Sequence, residues 1–230
     1  MLPALFTVGG VDVPSYGVFV GLAILAAWRV RRVEVARLGY DRTPGHAGIG
    51  FAALLGGIVG AKLGMALFVP PAELLRLGAA ALTGDFTGKT VVGGIAGGYL
   101  GVELAKKLLG VRHSTGDAFA VSLPLAQGIG RIGCFFHGCC GGRPSALLGT
   151  HPTQLYEAAL DLALAGALWG LRTGERPAGH LVRYALIGYA TIRFVLEPLR
   201  ADNGWMIGPF TAVQVFCAVA ASGFAASLRR

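Results

Sequence analysis

The sequence predicts an all-α integral membrane protein with seven transmembrane helices. Hydrophobic residues make up 54% of the 230 residues and charged residues 14%, whereas soluble domains carry about 25% charged residues. The mean hydropathy is +0.62, and the apolar residues fall into separate segments close to the length of about 20 residues that a bilayer requires. No segment alternates apolar and polar residues as membrane strands do. We therefore expect a single transmembrane domain over residues 1–230.

Seven apolar segments are the candidate spans. They are residues 13–28, 47–69, 90–105, 118–133, 153–171, 181–199 and 209–228. The third is the weakest, because only thirteen of its residues precede Glu103. The 37 glycines would let neighbouring helices approach closely, as membrane bundles require. Residues 73–82, ELLRLGAAAL, are too few to cross, and their amphipathic pattern predicts a segment at the interface.

The placement of lysine and arginine predicts the orientation. On one side of the spans lie Arg29, Arg31, Arg32, Arg37, Arg42, Lys106, Lys107, Arg112, Arg172, Arg176, Arg229 and Arg230, and on the other side lie Arg76, Lys89, Arg143 and Arg200. The positive-inside rule puts the amino terminus outside and the carboxyl terminus in the cytoplasm. The loop after the fourth span then faces the periplasmic side of a bacterial plasma (inner) membrane. The net charge of +8 is topological, and we expect no nucleic acid partner, since no basic run carries interleaved aromatics.

The first polar cluster is GIGRIGCFFHGCCGG, residues 128–142, at the end of the fourth span. Arg131 could hold a phosphate there, because a guanidinium binds two oxygens at once. A snorkelling arginine at the headgroups is the alternative. Cys134, His137, Cys139 and Cys140 form a C-x2-H-x-C-C pattern that is compatible with a soft metal, a disulfide, a reactive thiolate or simple packing.

The second cluster is HPTQLYEAALD, which opens the fifth span. Gln154, Glu157 and Asp161 have the spacing of one helix face. A carboxylate buried in that position needs a partner, and the arginines of other spans are the candidates, either in a binding site or in an ion pair that fixes packing. His151 is either a proton carrier or a capping residue.

The third cluster is RFVLEPLRAD, near the outer end of the sixth span. Arg193, Glu197 and Arg200 share one helix face there. Two positive charges around one negative charge predict a net positive site for an anionic headgroup, with an interfacial girdle as the alternative.

These motifs resemble the prolipoprotein diacylglyceryl transferases of bacteria. The resemblance rests on GRIG at 130–133, HPTQLYEA at 151–158, RFVLEPLR at 193–200, the pair Tyr16 and Gly17, and AKLG at 61–64. It implies transfer of a diacylglyceryl group from phosphatidylglycerol to the thiol of a lipobox cysteine in a preprotein, with release of glycerol phosphate. It also implies that Arg131 holds the lipid phosphate and that Arg193, Glu197 and Arg200 complete a polar chamber.

The chain departs from that family's pattern at four positions. Cys134 stands where the family usually has asparagine, and His137 and Cys139 stand where it has asparagine and glutamate. Val92 stands where a histidine usually precedes a Gly-Gly pair. His137 or a cysteine thiolate must therefore replace the group that helps to deprotonate the thiol, or the reaction has changed.

Two functions remain open at this point. The first is lipid transfer, with phosphatidylglycerol and lipobox preproteins as partners and no cofactor. For it we expect the catalytic residues to be His137, Cys139, His151, Arg193 and Glu197, and the substrate-binding residues to be Arg131, Tyr16, Gln154, Tyr156, Glu157 and Arg200. The second is a thiol- or metal-dependent redox or lipid-modifying protein on the same scaffold, which uses Cys134, Cys139 and Cys140.

Overall fold

The structure is a computed structural model that describes residues 4–8, 10–42, 45–69, 90–202 and 204–229. These residues form seven α-helices and three short β-hairpins. The helices are α1 (Ser15–Leu38), α2 (His46–Leu63), α3 (Val91–Leu108), α4 (Ser122–His137), α5 (Thr153–Leu171), α6 (His180–Leu196) and α7 (Ala212–Ser227). The hairpins are β1 (Ala4–Val8) with β2 (Val11–Pro14), β3 (Pro144–Ser145) with β4 (Gly149–Thr150), and β5 (Met206–Ile207) with β6 (Phe210–Thr211).

Each apolar segment of the sequence overlaps one of these helices, so the prediction of a helical fold is confirmed. Two stretches, His46–Leu63 and Gly116–His137, are long and apolar enough to cross a membrane by length and composition among the described residues. The interfacial segment expected at 73–82 lies outside the described residues. One hairpin precedes α1 and the other two lie in connections between helices, where the sequence shows no strand pattern.

Some helices continue beyond the apolar runs that predicted them. Helix α1 extends ten residues past Trp28, since polar side chains there find partners: Glu34 is fully buried and pairs with Arg37. Helix α3 continues past Glu103, which pairs with Lys106 at 3.0 Å. Ion pairs of this kind between neighbouring turns stabilise a helix after its apolar segment has ended.

The described residues divide into two compact units. The first takes in Met1–Leu38, Ser114–Asn203 and Phe216–Arg230, and the second takes in Gly39–His113 and Gly204–Val215. In the second unit α2 packs along α3 through glycines spaced four residues apart on both helices. A Cβ atom at Gly60 would lie 2.3 Å from the carbonyl oxygen of Gly93, and one at Gly97 would lie 2.2 Å from that of Gly56. The close approach expected from the glycine content is confirmed for this pair.

In the first unit α4 packs against both α1 and α5, and α5 packs against α6. Asp117 fixes the start of α6, because its carboxylate accepts hydrogen bonds from the backbone amides of Gly179 at 2.6 Å and Val182 at 2.9 Å. All three polar clusters that the sequence singled out belong to this unit.

Candidate functional site

The carboxylate of Glu157 on α5 is the centre of a cluster of three arginines. Arg131 of α4 places Nε 2.9 Å from Oε1 of Glu157. Arg200 Nη1 lies 3.4 Å from Oε2, and Arg193 Nη1 of α6 lies 3.6 Å from the same oxygen. All four side chains are buried. Residues from three separate segments of the sequence therefore converge on one carboxylate, and we call this set the arginine cluster.

Gln127 is a member of the cluster that sequence reasoning missed. Its Nε2 donates a hydrogen bond to Oε1 of Glu157 at 3.1 Å. Gln127 lies four residues before Arg131, so both face α5 from the same side of α4. A polar residue at that spacing inside an apolar segment was the signal that could have found it.

Two further carboxylates join the arginines. Arg193 Nη2 donates to Oε2 of Glu197 at 2.7 Å, and Arg200 Nη2 donates to Oδ2 of Asp202 at 2.7 Å. Three arginines therefore stand against three paired carboxylates. The expectation of a net positive site is wrong in formal charge, because Glu157 and Asp202 bind to the arginines that were counted as the excess.

Asp161 and Tyr189 border the cluster on α5 and α6. Asp161 follows Glu157 by one helical turn, and Tyr189 precedes Arg193 by one turn. Both carboxylate oxygens of Asp161 and the hydroxyl of Tyr189 are buried with no hydrogen-bond partner among the described residues. Tyr189 was not singled out from the sequence. Polar atoms left in this state are able to bind polar groups of a ligand.

The thiols of Cys134, Cys139 and Cys140 form a second group, the thiol cluster. The three sulfur atoms lie within 4.8 Å of one another, and the Cys140 thiol donates to the Cys139 sulfur at 3.5 Å. Gly138, with φ of 83°, ends α4 and reverses the chain, so that the Cys139 amide donates to the carbonyl of Cys134 at 3.2 Å. The last turn of α4 and the loop after it thereby bring the sulfurs together.

Cys140 is the one non-glycine residue with positive φ in the described chain, at 62°. A residue with a Cβ atom pays about 1–2 kcal/mol for that conformation. The surrounding contacts hold it: Thr153 Oγ1 donates to the Cys140 carbonyl at 3.2 Å, and Gln154 Nε2 donates to the Cys139 carbonyl at 2.6 Å. The first turn of α5 therefore fixes the backbone of the thiol cluster.

The two loop thiols differ in acidity. A hydrogen bond with Cys134, together with the charges of Arg131 and Arg200, lowers the pKa of Cys140 to about 5. Burial and the neighbouring Cys140 raise the pKa of Cys139. Cys140 therefore loses its proton more readily than Cys139 does.

Backbone hydrogen bonds tie this loop to the arginine cluster. Gly142 donates to the carbonyl of His151 at 2.9 Å, and Arg143 donates to that of Leu199 at 2.8 Å. A Cβ atom at Gly142 would lie 2.6 Å from the Leu199 carbonyl oxygen and 2.7 Å from that of His151, so only glycine fits between these two segments of the chain. Arg143 Nε also donates to the carbonyl of Arg200 at 3.3 Å. The position of Arg200 is set in this way by the loop that carries the thiols.

The remaining residues expected in the site lie at its periphery. His137 is exposed at the end of α4, with its ring 6.0 Å from that of Tyr16. His151 is half-buried, with its ring 6.2 Å from that of Tyr156. None of the ion pairs described for the arginine cluster includes these four side chains, and His137 is not part of the thiol cluster. The three cysteines expected to form a soft-metal or disulfide cluster therefore do lie together, and the histidine of the C-x2-H-x-C-C pattern lies apart from them.

Chemically, the arrangement combines donors for an anion with soft nucleophiles. The three guanidinium groups offer forked hydrogen-bond donors that suit a phosphate. The thiol cluster begins at Cys134, one helical turn beyond Arg131 on α4. An anionic group held by the arginines would thus lie close to sulfur ligands or nucleophiles.

Comparison with known proteins identifies the chain's relatives. The family model described as prolipoprotein diacylglyceryl transferase matches residues 3–228. Three proteins named phosphatidylglycerol–prolipoprotein diacylglyceryl transferase are similar to it: one from Clostridium tetani is 32% identical, covering 88% of this chain and 86% of the relative. One from Bordetella avium is 31% identical, with 89% and 83% covered, and one from Chlorobaculum tepidum is 30% identical, with 94% and 85% covered. The resemblance inferred from the motifs is confirmed, and the chain belongs to the prolipoprotein diacylglyceryl transferase family.

Proposed function

We propose that this chain is a multi-pass enzyme of the bacterial inner membrane that transfers a diacylglyceryl group from phosphatidylglycerol to the thiol of a lipobox cysteine in a preprolipoprotein. Membership of the family supports the reaction class. The observation that carries the proposal is the convergence of Arg131, Arg193 and Arg200 on one buried carboxylate. Burial of guanidinium groups costs desolvation free energy, and binding of a lipid phosphate would explain why three of them are buried together here.

In this reaction the acceptor sulfur attacks the carbon of the diacylglyceryl group that is bonded to the phosphate oxygen. The carbon–oxygen bond breaks, and glycerol phosphate leaves with the negative charge that develops on its oxygen. Arg131 binds the phosphate oxygens, and Arg193 and Arg200 stabilise the leaving group electrostatically. Preorganised donors aimed at developing charge are commonly worth about 3–4 kcal/mol each.

The carboxylates hold the guanidinium groups ready for the lipid. Glu157 contacts three arginines, and Glu197 fixes Arg193 at 2.7 Å. Such contacts orient the donors before substrate arrives, so that little reorganisation is needed during the reaction. Tyr16, Gln154 and Tyr156 complete the substrate-binding set, with Gln154 acting through the loop that it holds.

His137 is the candidate general base for the acceptor thiol. It is exposed at the end of α4, three residues after Cys134, so an incoming peptide can reach it. His151 is the second candidate, and its Nδ1 atom is buried with no hydrogen-bond partner among the described residues. Replacement of each histidine by glutamine would separate them, because the true base should show the larger loss and an altered pH profile.

The topology belongs to the same proposal. With seven spans and the amino terminus outside, the thiol and arginine clusters face the periplasm, as the distribution of lysine and arginine supports. Leu147, 95% exposed in the turn between β3 and β4, would then lie outside, and Glu175, between α5 and α6, would lie inside. In a background with serine at the four cysteines, an impermeant maleimide should label Leu147→Cys in intact cells and Glu175→Cys only after lysis. The reverse pattern would contradict the orientation.

The direct test uses purified protein, phosphatidylglycerol labelled in the acyl chains and a lipobox peptide. Labelled diacylglyceryl should appear on the peptide, and glycerol phosphate should be released in equal amount. A peptide with serine in place of the cysteine is the control and should remain unlabelled. Absence of transfer to the cysteine peptide by folded protein would refute the proposal.

A second function is favoured by the thiol cluster alone. Three sulfurs within 4.8 Å suit a thiol- or metal-dependent redox or lipid-modifying protein on this scaffold. A deletion strain distinguishes the two functions. Lipid transfer predicts that unmodified preprolipoproteins accumulate, whereas the second function predicts normal lipoproteins and a changed thiol or lipid composition.

A further inference from the structure

The thiol cluster has the dimensions of a metal site. Zinc binds cysteine sulfur at about 2.3 Å in a tetrahedral arrangement, which sets the sulfur atoms about 3.8 Å apart. The sulfurs of Cys134, Cys139 and Cys140 lie within 4.8 Å of one another, with 3.5 Å between those of Cys139 and Cys140. Small rotations of the cysteine side chains would move the sulfur atoms enough to place all three at bonding distance from one ion. The fixed backbone of the loop keeps them grouped.

The ligand set leaves one coordination position open. The cluster contains three thiols and no histidine or carboxylate among the described residues. Structural zinc sites are closed by four protein ligands, whereas catalytic sites use three and leave the fourth to water or substrate. Thiolates are soft ligands that select zinc over the hard cations magnesium and calcium.

We propose that Cys134, Cys139 and Cys140 bind one zinc ion and that its open position takes the thiol of the acceptor protein. The first half stands on the geometry of the thiols alone, and the second half rests on the proposed transferase function. Coordination to zinc deprotonates a thiol outright. The ion would thereby supply, at the reacting sulfur, the activation that the proposed function otherwise assigns to His137 or His151.

The bound thiolate would be close to the lipid phosphate. Cys134 follows Arg131 by three residues on α4, and Gln154, which holds the Cys139 carbonyl, precedes Glu157 by three residues on α5. One helical turn, a rise of about 5 Å, therefore separates the thiol cluster from the arginine cluster on both helices. Three thiolates around a divalent ion carry one net negative charge, which would lie one turn from the Arg131 guanidinium.

The step balances without any change of oxidation state. The acceptor thiol binds zinc and releases its proton to water. Its sulfur then forms a bond to the glyceryl carbon with its lone pair, while the bond from that carbon to the phosphate oxygen breaks. Glycerol phosphate leaves with the bonding electron pair, and the thioether product, a poorer ligand than thiolate, leaves the ion.

Binding is tested on the full-length protein in detergent, purified under reducing conditions without chelator. Elemental analysis should find one zinc per chain, and replacement by cobalt(II) should give the intense absorption of thiolate coordination. Both signals should be lost in Cys139→Ser and in the triple serine variant. Cys217→Ala is the matched control, because Cys217 is buried in α7 and lies outside the cluster, and it should keep both signals.

Two results would overturn zinc binding. The first is protein that takes up no zinc after incubation with the ion. The second is a disulfide between two of the three cysteines in protein purified without reductant.

The role in transfer has its own readout. A lipobox peptide should shift the spectrum of the cobalt protein, whereas the serine peptide should not. Removal of zinc should lower the transfer rate by about 100-fold, the size of a lost general base, and zinc should restore it. If metal-free protein transfers lipid at the normal rate, the second half of the inference is wrong and the proposed function stands. If the cysteine peptide shifts the spectrum but no lipid is transferred, the site is supported and the proposed function fails.

Discussion

Two fully buried glutamates, Glu34 on α1 and Glu157 on α5, are both paired with arginines, yet their surroundings differ. Glu34 contacts Arg37 at 2.6 Å and Arg172 at 3.2 Å, and the side chains of these arginines are 30% and 18% exposed. The three arginines around Glu157 are at most 9% exposed. Arg172 lies fifteen residues after Glu157, roughly 22 Å along α5 and its end, so the two clusters mark opposite ends of the same helix.

The difference separates an anchor from a candidate site. The arginines of Glu34 reach water, and Arg172 also packs over the ring of Trp169, so that pair fixes helix ends at small cost. The arginines around Glu157 are shielded from water, and the desolvation penalty of such buried ion pairs often exceeds their Coulombic attraction. A binding function explains why a chain would carry the second arrangement.

The sharpest test of the comparison neutralises each glutamate. Glu157→Gln keeps the shape but leaves three buried guanidinium groups around a neutral amide, so we expect a loss of about 3–5 kcal/mol in the free energy of unfolding. Transfer per folded molecule should also fall. Glu34→Gln should cost about 1 kcal/mol or less with an unchanged rate, because its arginines can hydrate. Unfolding in mixed micelles and initial transfer rates measure both, and equal losses in the two variants would remove the distinction.

The next test removes one arginine from each cluster. Arg131→Ala should lower the initial rate of transfer by about 10²- to 10³-fold, the effect of losing a donor aimed at developing charge. Arg131→Lys should recover little, since an ammonium group cannot hold two oxygens in a fork. Arg172→Ala is the control and should leave the rate unchanged. Full activity in Arg131→Ala would move phosphate binding to another residue.

The sequence predicted the helices better than their ends. Apolar length marks a helix wherever it occurs, so each of the seven segments was found. The end of a helix depends on local partners that composition does not reveal. Helix α4 was expected to end at Gly133, but it continues to His137, where Gly138 supplies the left-handed residue that closes it.

The site was predictable to the extent that its residues shared one face of one helix. The spacing of Glu157 indicated that arginines of other spans would be its partners, and these are present. Gln127 and Tyr189 escaped notice, because a single polar residue in an apolar segment does not show which distant segment it faces. The three cysteines of the predicted cluster are together, and His137 lies apart from them because the chain reversal at Gly138 directs Cys139 toward Cys134 and leaves the histidine exposed.

A double-mutant cycle tests whether the buried pairs are energetically coupled. Arg193 and Glu197 are joined at 2.7 Å, so Arg193→Met or Glu197→Gln alone should cost more than the double change, with a coupling of about 1–3 kcal/mol. The same cycle on Arg37 and Glu34 should give about 0.5 kcal/mol, since Arg37 is partly hydrated. The measurement is the free energy of unfolding of the four variants in each cycle. Strictly additive losses at Arg193 and Glu197 would mean that their contact contributes no coupling.

The smallest expected effect concerns Asp161, which shares the buried face of α5 with Glu157 but has no hydrogen-bond partner among the described residues. Asp161→Asn keeps the shape and removes both an unpaired buried acid and its repulsion with Glu157 one turn away. We expect the free energy of unfolding to rise by about 1 kcal/mol and the transfer rate to stay unchanged. A slow Asn variant of undiminished stability would give the opposite answer: Asp161 would then hold or move a proton during transfer. The functional part of α5 would in that case include Asp161, and the candidate site would extend one turn closer to the pair of Glu34 and Arg172.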